Sequence, residues 1–401
     1  MKKNPLIAVF FVVFIDLVGF GIVIPILPYY AKSFGAQATT LGWLMMCYSG
    51  MQFLFSPFWG SLSDRIGRRP VILTCLVGIS ASMALLGFAK SLVWLFSARL
   101  LAGFFGANIS TAAAYIADVT KPENRARGMG MIGAAFGLGF LFGPALGGIL
   151  SRWGYGTGGY VAAGLALLNF LFAVMVLKEP RLSAEIRAQH RSHPTFKAWR
   201  RTISVPQTGL AVILFFLVTM GIAQLETSFA LFLLARFHLD AVHAGWILAL
   251  MALFMVGIQG GAIGKLVRWA GEPKLVAAGC ALMAIGLFSA SFSHTLPLFV
   301  FFLLFQSIGY AITNPSLSAL VSRHSPREIQ GSAMGIYQSA GSLARVIGPV
   351  TAGVLFDHLG ISAPFLVASL LFGAALILVS VRKQVWDGNN RSAEIAYSET
   401  A

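Results

Sequence analysis

A short polar segment decides the fold: Gly60-Ser-Leu-Ser-Asp64-Arg65-Ile-Gly67-Arg68-Arg69-Pro70. It separates two long apolar runs, residues 39–61 and 70–88. Glycine permits close turns of the backbone, and proline suits the first turn of a helix. An acidic residue therefore ends one predicted helix where basic residues begin the next. The segment predicts a tight, charged turn between two apolar helices.

Apolar runs of this kind fill the chain. Of its 401 residues, 57% are hydrophobic and only 11% are charged, and its mean hydropathy is +0.79. Ordinary soluble domains carry about 25% charged residues. The composition therefore excludes soluble enzymes and disordered chains, and it predicts a membrane protein. Because the apolar runs are continuous and do not alternate with polar residues, they disfavour a β-barrel.

Twelve runs reach the length of about 20 residues that a spanning helix needs. The predicted spans 1 to 12 cover residues 6–30, 39–61, 70–88, 92–117, 127–151, 158–178, 207–236, 241–264, 274–292, 296–321, 330–357 and 361–382. A longer polar connection divides them six and six. We predict an all-α integral membrane protein of twelve helices in two pseudo-symmetric halves, 1–178 and 207–383, with a basic cytoplasmic linker, 179–206, and a cytoplasmic tail, 384–401.

The basic residues predict the orientation. Of 29 Lys and Arg residues, 23 lie in segments on the same side as the N-terminus, and four, Lys32, Lys90, Arg152 and Arg236, lie on the other side. Cytoplasmic loops carry such an excess. The net charge of +15 thus indicates both termini inside rather than a nucleic-acid partner. Because Asp16 interrupts the first run, we interpret that run as a retained helix and not as a cleaved signal peptide.

The two halves share spaced residues. Gly60, Leu62 and Gly67 recur 204 residues later, and Gly143, Pro144 and Gly148 recur 205 residues later. The matching positions are Gly264, Leu266, Gly271, Gly348, Pro349 and Gly353. Parallel repeats of six helices are typical of secondary transporters, which bind substrate near the membrane midplane between the repeats. The three cysteines, Cys47, Cys75 and Cys280, lie within apolar runs and indicate neither a disulfide framework nor a metal site.

The charged turn resembles the G-x-L-x-D-R-x-G-R-R signature of the major facilitator superfamily. The resemblance implies that Asp64 and Arg68 form a charge network with Asp118 at the end of span 4, and that this network latches one conformation. The motif positions are Gly60, Asp64, Arg65, Gly67, Arg68 and Arg69. In the second copy Arg268 replaces Asp64, so that copy is interpreted as degenerate and structural.

Span 5 contains a second motif, Gly137-Leu-Gly139-Phe-Leu-Phe-Gly143-Pro144-Ala-Leu-Gly147-Gly148. It resembles the antiporter signature of the drug:proton antiporter branch. Small residues four positions apart also let helices pack closely, and a proline within a helix kinks it. Antiport function and close packing are compatible interpretations.

Spans 1 and 4 are similar to the tetracycline-efflux group within this branch. The similarity rests on Asp16-Leu-Val-Gly19-Phe-Gly21 with Pro25 and Pro28, and on Leu95-Phe-Ser-Ala-Arg99-Leu-Leu-Ala-Gly103. In that group span 8 carries a histidine one turn before a glutamine, and span 9 carries an aspartate. Here Met255 precedes Gln259, and span 9 has no acid. The departures favour multidrug or other amphipathic cargo over tetracycline.

Ionisable residues inside spans need a function because a charge at mid-bilayer costs about 2.5–3.5 kcal/mol. Asp16, Arg99 and Glu226 are the candidates for proton coupling. A structural ion pair between Asp16 and Arg99 is the alternative for the first two. For Glu226, the one acid in the interior of a second-half span, the alternative is a neutral carboxyl bonded to a neighbouring helix. The seven histidines lie near span ends or in loops and carry no such prediction.

Further polar residues inside spans are candidates for the wall of the substrate cavity: Asn108, Gln224, Gln259, Gln306, Asn314, Gln338 and Arg345. Gln338 lies one heptad before Arg345, on the same helix face. Asn108 lies nine residues after Arg99, which is about 900° of rotation and hence the opposite face. Interhelical hydrogen bonds, or a paired or snorkelling side chain for Arg345, are the alternatives.

These features predict a proton-coupled exporter of hydrophobic or amphipathic small molecules that works by alternating access. We expect a monomer in a bacterial inner membrane, driven by the proton gradient without a cofactor. The alternative is a facilitator or symporter for a metabolite such as a sugar or siderophore. A membrane-embedded enzyme would need clustered nucleophiles, acids or metal ligands, which the sequence does not indicate.

Overall fold

A computed structural model describes residues 5–106, 109–120, 125–179, 205–325 and 330–382. These residues form helices joined by short turns, as the apolar runs predict. The helices are α1 (Pro5–Ser33), α2 (Ala38–Ile66), α3 (Arg68–Gly87), α4 (Leu92–Phe105), α5 (Ile109–Val119), α6 (Arg125–Leu150), α7 (Tyr155–Val176), α8 (Pro206–Phe237), α9 (Ala241–Gly257), α10 (Ile263–Ala270), α11 (Glu272–Ser291), α12 (Leu296–His324), α13 (Gln330–Leu359) and α14 (Ala363–Val381).

Ten helical stretches in the described part of the chain are long and apolar enough to cross a membrane. They correspond to ten of the twelve predicted spans and confirm the all-α membrane fold. Span 2 coincides with α2, whose last two turns are polar. Span 4 coincides with α4 and α5, of 14 and 11 residues, on either side of residues 107–108. For these two spans a full crossing stays a prediction.

Predicted span 8 is not a uniform α-helix. A π-helical turn, Ile258–Ala262, lies between α9 and α10. Such a turn accommodates one extra residue and is frequent at functional sites. Gln259, Gly260 and Gly261 lie in this turn, within a run that is otherwise mostly apolar.

One compact unit contains the described residues of Met1–Ser192, Gln224–Val256 and Arg345–Pro364. Its core includes Ile22, Ile26 and Leu27 of α1 and Leu41 and Leu44 of α2, all buried. Small residues let α1 and α6 approach closely: a methyl group on Gly143 would lie 2.6 Å from Gly21 Cα. Van der Waals contact of this kind is what holds membrane helices together, because lipid is as apolar as the side chains.

The second compact unit contains the described residues of His193–Ala223, Gly257–Ala344 and Phe365–Ala401. Here α11 and α12 pack through glycines. A methyl group on Gly309 would lie 2.5 Å from the Gly279 carbonyl oxygen, and one on Gly286 would lie 2.7 Å from that of Phe302. The rings of Phe215 and Tyr337 stack with centroids 3.8 Å apart.

Two turns at corresponding positions of the repeat have similar backbones. Gly67, with φ of 110°, stands between α2 and α3, and Gly271, with φ of 77°, stands between α10 and α11. Residues with a Cβ atom rarely adopt such positive φ angles, so glycine is required at both places. The two glycines stand 204 residues apart, which is the spacing of the predicted repeat.

Candidate functional site

The charged turn after α2 centres on Arg68. Its side chain is only 3% exposed, and its Nη1 lies 2.6 Å from Asp64 Oδ1 and its Nε 2.9 Å from Asp118 Oδ2. Nη1 also donates a hydrogen bond to Ser63 Oγ at 2.6 Å. The structure therefore brings the three predicted charged residues together. Asp118 is 4% exposed and Asp64 is 40% exposed, so the two carboxylates have different environments.

The other motif positions have backbone roles or face outward. The Gly60 carbonyl accepts a hydrogen bond from Ser63 Oγ at 2.7 Å, within the last turns of α2. Arg65 is exposed. Arg69 Nη2 donates to the Val174 carbonyl at 2.8 Å, which ties the turn to the end of α7.

Glu179 belongs to the same turn, and the sequence did not indicate it. Its Oε1 accepts from Arg68 N at 2.7 Å and its Oε2 from Arg69 N at 2.9 Å. The carboxylate therefore binds the first free N–H groups of α3, where the helix dipole also favours negative charge. Glu179 is the first residue of the predicted linker, so the linker begins fixed to the charged turn.

The second copy of the turn carries an ion pair of reversed sign. Glu272, at the place of Arg68 in the repeat, lies with Oε1 2.9 Å from Arg323 Nη1. Arg323 ends α12, as Asp118 ends α5. The Glu272 side chain is 9% exposed and that of Arg323 is 66% exposed. Arg268, at the place of Asp64, is exposed. The second copy thus retains an ion pair, between Glu272 and Arg323. Comparing only Arg268 with Asp64 does not reveal this pair.

The predicted antiporter motif lies on two faces of α6. On one face Gly139, Gly143 and Gly147 lie against Leu17, Gly21 and Ile22 of α1. On the other face a methyl group on Gly148 would lie 2.9 Å from the Ala241 carbonyl oxygen.

On the same side of α6, the Pro144 carbonyl oxygen lies directly against Gly245 of α9. The helix runs without interruption through Pro144. Close packing is therefore present at this motif, and its role in antiport stays a prediction.

Arg99 is buried inside the first unit against an aromatic ring. It is 3% exposed, and its guanidinium carbon lies 4.3 Å from the centre of the Tyr48 ring. Gly103 and Gly106, one and two turns further along, lie against Tyr48 as well. A cation over an aromatic face gains about 0.5–2 kcal/mol, more when it is desolvated. Tyr48, which the sequence did not indicate, is the group that covers the predicted arginine.

Further charged groups surround Tyr48. Asp16 on α1 and Arg345 on α13 lie within electrostatic range of its hydroxyl, and Phe20 contacts its ring with centroids 5.1 Å apart. Arg345 also lies within electrostatic range of the Glu226 carboxyl on α8. We call Asp16, Tyr48, Arg99, Glu226 and Arg345 the central charged cluster.

Glu226 and Arg345 are exposed although each belongs to a long apolar helix. The neighbours of Glu226 on its helix face, Phe229, Ala230 and Leu233, are 0–3% exposed. Glu226 is therefore an exposed carboxylate among buried apolar residues of its own helix, and contact of such a charge with lipid would be costly.

The remaining cavity candidates differ in their surroundings. Gln224 is fully buried, and its Nε2 lies 3.4 Å from Thr351 Oγ1 of α13. This contact is the interhelical hydrogen bond given above as the alternative to a cavity role. Gln306 is 3% exposed, and its Oε1 has no hydrogen-bond partner among the described residues. Gln338 is exposed, Asn314 is half-buried, and half-buried Gln259 lies in the π-helical turn. Asn108 lies outside the described residues.

Apolar spanning helices with charged residues between them are typical of multi-pass membrane transporters. The family model described as "Major Facilitator Superfamily" matches residues 9–281 and 263–395. The chain belongs to this superfamily, and it is a transporter rather than an enzyme.

Relatives named for antibiotic and multidrug resistance match most of the chain. It is 35% identical to "Tetracycline resistance protein, class E" of Escherichia coli, over 86% of both chains. It is 30% identical to "Multidrug resistance protein 2" of Bacillus subtilis, over 93% of both. Among solved structures, the human organic anion transporter MFSD10 (TETRAN) matches with a TM-score of 0.70 and 26% identity, over 94% of this chain and all of that one.

Proposed function

We propose that this transporter exports hydrophobic or amphipathic small molecules in exchange for protons, by alternating access between its two halves. The proposal places it as a monomer in a bacterial inner membrane, with both termini and the 179–206 linker in the cytoplasm. Relatives named for tetracycline and multidrug resistance support drug efflux as the activity.

The pair of Glu226 and Arg345 carries the proposal. An ionised Glu226 attracts Arg345, and a protonated Glu226 does not. Proton binding therefore changes the interaction between α8 and α13, each from the second predicted half. Both side chains have exposed surface, which supports a role in binding protons or cargo. A residue that takes up a proton and thereby changes its contacts is what a proton-coupled transporter requires.

Arg99 and Asp16 are the proposed second component. The Tyr48 ring holds the arginine in place without neutralising its charge. A fixed positive charge nearby lowers the affinity of the cluster for cationic cargo unless Asp16 is ionised. Proton exchange at Asp16 would then alternate the net charge that the cargo meets.

Two differences from the tetracycline-efflux group and one group of aromatic residues support the proposed class of cargo. Met255 stands where the tetracycline-efflux group has a histidine, and α11 has no acid after Glu272. Phe20, Tyr48 and Phe140 form a connected aromatic group beside the charges. Aromatic rings next to charged groups suit amphipathic molecules with an apolar ring system.

The proton gradient suffices for this activity. One charge moving down 100 mV releases about 2.3 kcal/mol, and each tenfold concentration ratio needs about 1.4 kcal/mol. A one-for-one exchange with a neutral molecule therefore supports roughly a 40-fold gradient at this voltage.

Transport into inside-out vesicles tests the proposal. An acid interior should drive uptake of a fluorescent amphipathic dye, and collapse of the pH gradient should stop it. Glu226→Gln should abolish the response to the gradient, whereas Asp240→Asn, which removes an exposed carboxylate outside the spans, should keep it. Dye uptake that ignores the gradient, or that an alkaline interior drives, would favour the facilitator or symporter instead.

A further inference from the structure

The start of α2 is capped by a residue from the distant end of α13. Asp357 Oδ1 accepts from Ala38 N at 3.1 Å, and Oδ2 accepts from Thr39 N at 2.7 Å. Gln37, which precedes the helix, makes no side-chain capping bond. A carboxylate more than 300 residues away thus takes the role that a local Ser, Thr, Asp or Asn normally has.

The backbones of the two helices meet at this point. Gly42 lies directly against the Pro349 carbonyl oxygen, and Gly353 lies directly against the Ala38 carbonyl oxygen. A methyl group on Gly353 would also lie 2.7 Å from Thr39 Cα. The first turns of α2 therefore rest on the last turns of α13 with no side chain between them, and Asp357 closes this contact.

The contact joins the two predicted halves at their outer ends. α2 belongs to the first half and α13 to the second, and the charge distribution places residues 38 and 357 on the outer side. The Tyr29 hydroxyl donates to the Leu239 carbonyl at 3.2 Å, which joins the same two halves at the same side. Opening the outer side between the halves must break both contacts.

The Asp357 contact has the chemistry of a reversible closure. A carboxylate that receives two backbone N–H bonds at a helix N-terminus gains from charge-assisted hydrogen bonding and from the helix dipole. When the helices separate, both sides are exposed to water, which solvates the carboxylate and the N–H groups. Neither state leaves a polar group buried without a partner.

We propose that Asp357 is a closing residue of an outer gate: it holds α2 against α13 while the outer side is shut, and it releases them when that side opens. This inference rests on alternating access as proposed above, but not on proton coupling or on any cargo.

Asp240 provides a matched control. It lies on the same predicted side and also caps a helix, since Oδ1 accepts from His243 N at 3.2 Å at the start of α9. Burial raises the pKa of the Asp240 carboxyl, but hydrogen bonds from His243 outweigh that effect and lower the pKa overall. It is therefore ionised at neutral pH. Its cap is local to α9, so its loss removes no hydrogen bond between α2 and α13.

Thiol labelling measures the gate directly. In a protein without Cys47, Cys75 and Cys280, a single cysteine replaces buried Ala38, where the backbone N–H is retained. An impermeant maleimide is added to intact cells. Asp357→Ala should raise the labelling rate about tenfold, and Asp357→Asn, which keeps one acceptor oxygen, should raise it less. Asp240→Ala should change the rate less than twofold.

A second reporter separates gating from mere loosening. Gln338 is exposed near the predicted inner end of α13. A cysteine there, labelled in inside-out vesicles, should react more slowly when Asp357→Ala opens the outer side. Faster labelling at both sites would reduce Asp357 to a structural cap, and an unchanged rate at Ala38→Cys in a folded variant would overturn the proposal. If proton exchange fails while both labelling shifts occur, the proposed function fails but the gate stands.

Discussion

Asp64 and Asp118 both pair with Arg68, yet their replacement should have different effects. Asp118 and Arg68 are 4% and 3% exposed, while Asp64 is 40% exposed. If the turn is a latch, the exposed carboxylate is the one that can exchange partners during switching. The buried one instead fixes Arg68 to the end of α5. We predict that Asp118→Asn lowers stability and that Asp64→Asn lowers turnover.

The burial of each pair determines the magnitudes. Removal of one partner of a buried ion pair costs about 3–5 kcal/mol. Asparagine keeps one acceptor oxygen, and Arg68 retains Asp64 and Ser63, so Asp118→Asn should cost about 2 kcal/mol. The Asp64 carboxylate is 40% exposed, so water screens its side of the pair, and Asp64→Asn should cost less than about 1 kcal/mol.

Thermal unfolding and transport of the purified variants distinguish the two roles. With roughly 2 °C per kcal/mol in large domains, Asp118→Asn should lower the midpoint by about 4 °C, and Asp64→Asn by under 2 °C. Asp64→Asn should bind cargo normally but transport it several-fold more slowly. Normal turnover of Asp64→Asn would leave this turn as a folding element, and equal loss of stability in both variants would refute the division of roles.

Three other predictions concern charge. Glu226→Gln should keep the fold and the downhill movement of a neutral cargo, which needs no proton exchange, while losing a cationic analogue; equal wild-type rates for both cargoes would contradict this. Single cysteines at Ser192 and Ser398 should resist an impermeant thiol reagent in intact cells, and labelling of either without permeabilisation would reverse the orientation. Exchanging the charges, with Glu272→Arg and Arg323→Glu together, should restore thermal stability that either change alone lowers; no recovery in the double variant would show that the pair contributes nothing.

The sequence predicted the elements with strong local signals. Long apolar runs gave the helices, and Gly67 and Gly271 marked the two turns because positive φ requires glycine there. Asp64, Arg68 and Asp118 were predicted to meet from their resemblance to a known motif, since spacing alone cannot bring residues 50 positions apart together.

The residues that were missed act through tertiary contacts. Glu179 and Asp357 each cap a distant helix, and an acid near a span end has no signal for which helix it binds. Tyr48 was one aromatic residue among many. Arg323 is paired with Glu272 only because α11 and α12 pack side by side. Folding, rather than local pattern, determines these partners.

Proton counterflow in liposomes that contain only the purified protein is the most direct test of the central claim. An outward cargo gradient is imposed at equal internal and external pH, and a trapped pH-sensitive dye is followed. Exchange predicts that the interior acidifies as cargo leaves, and that Glu226→Gln abolishes the acidification. Cargo efflux with no change of internal pH, or with alkalinisation, would contradict proton-coupled export.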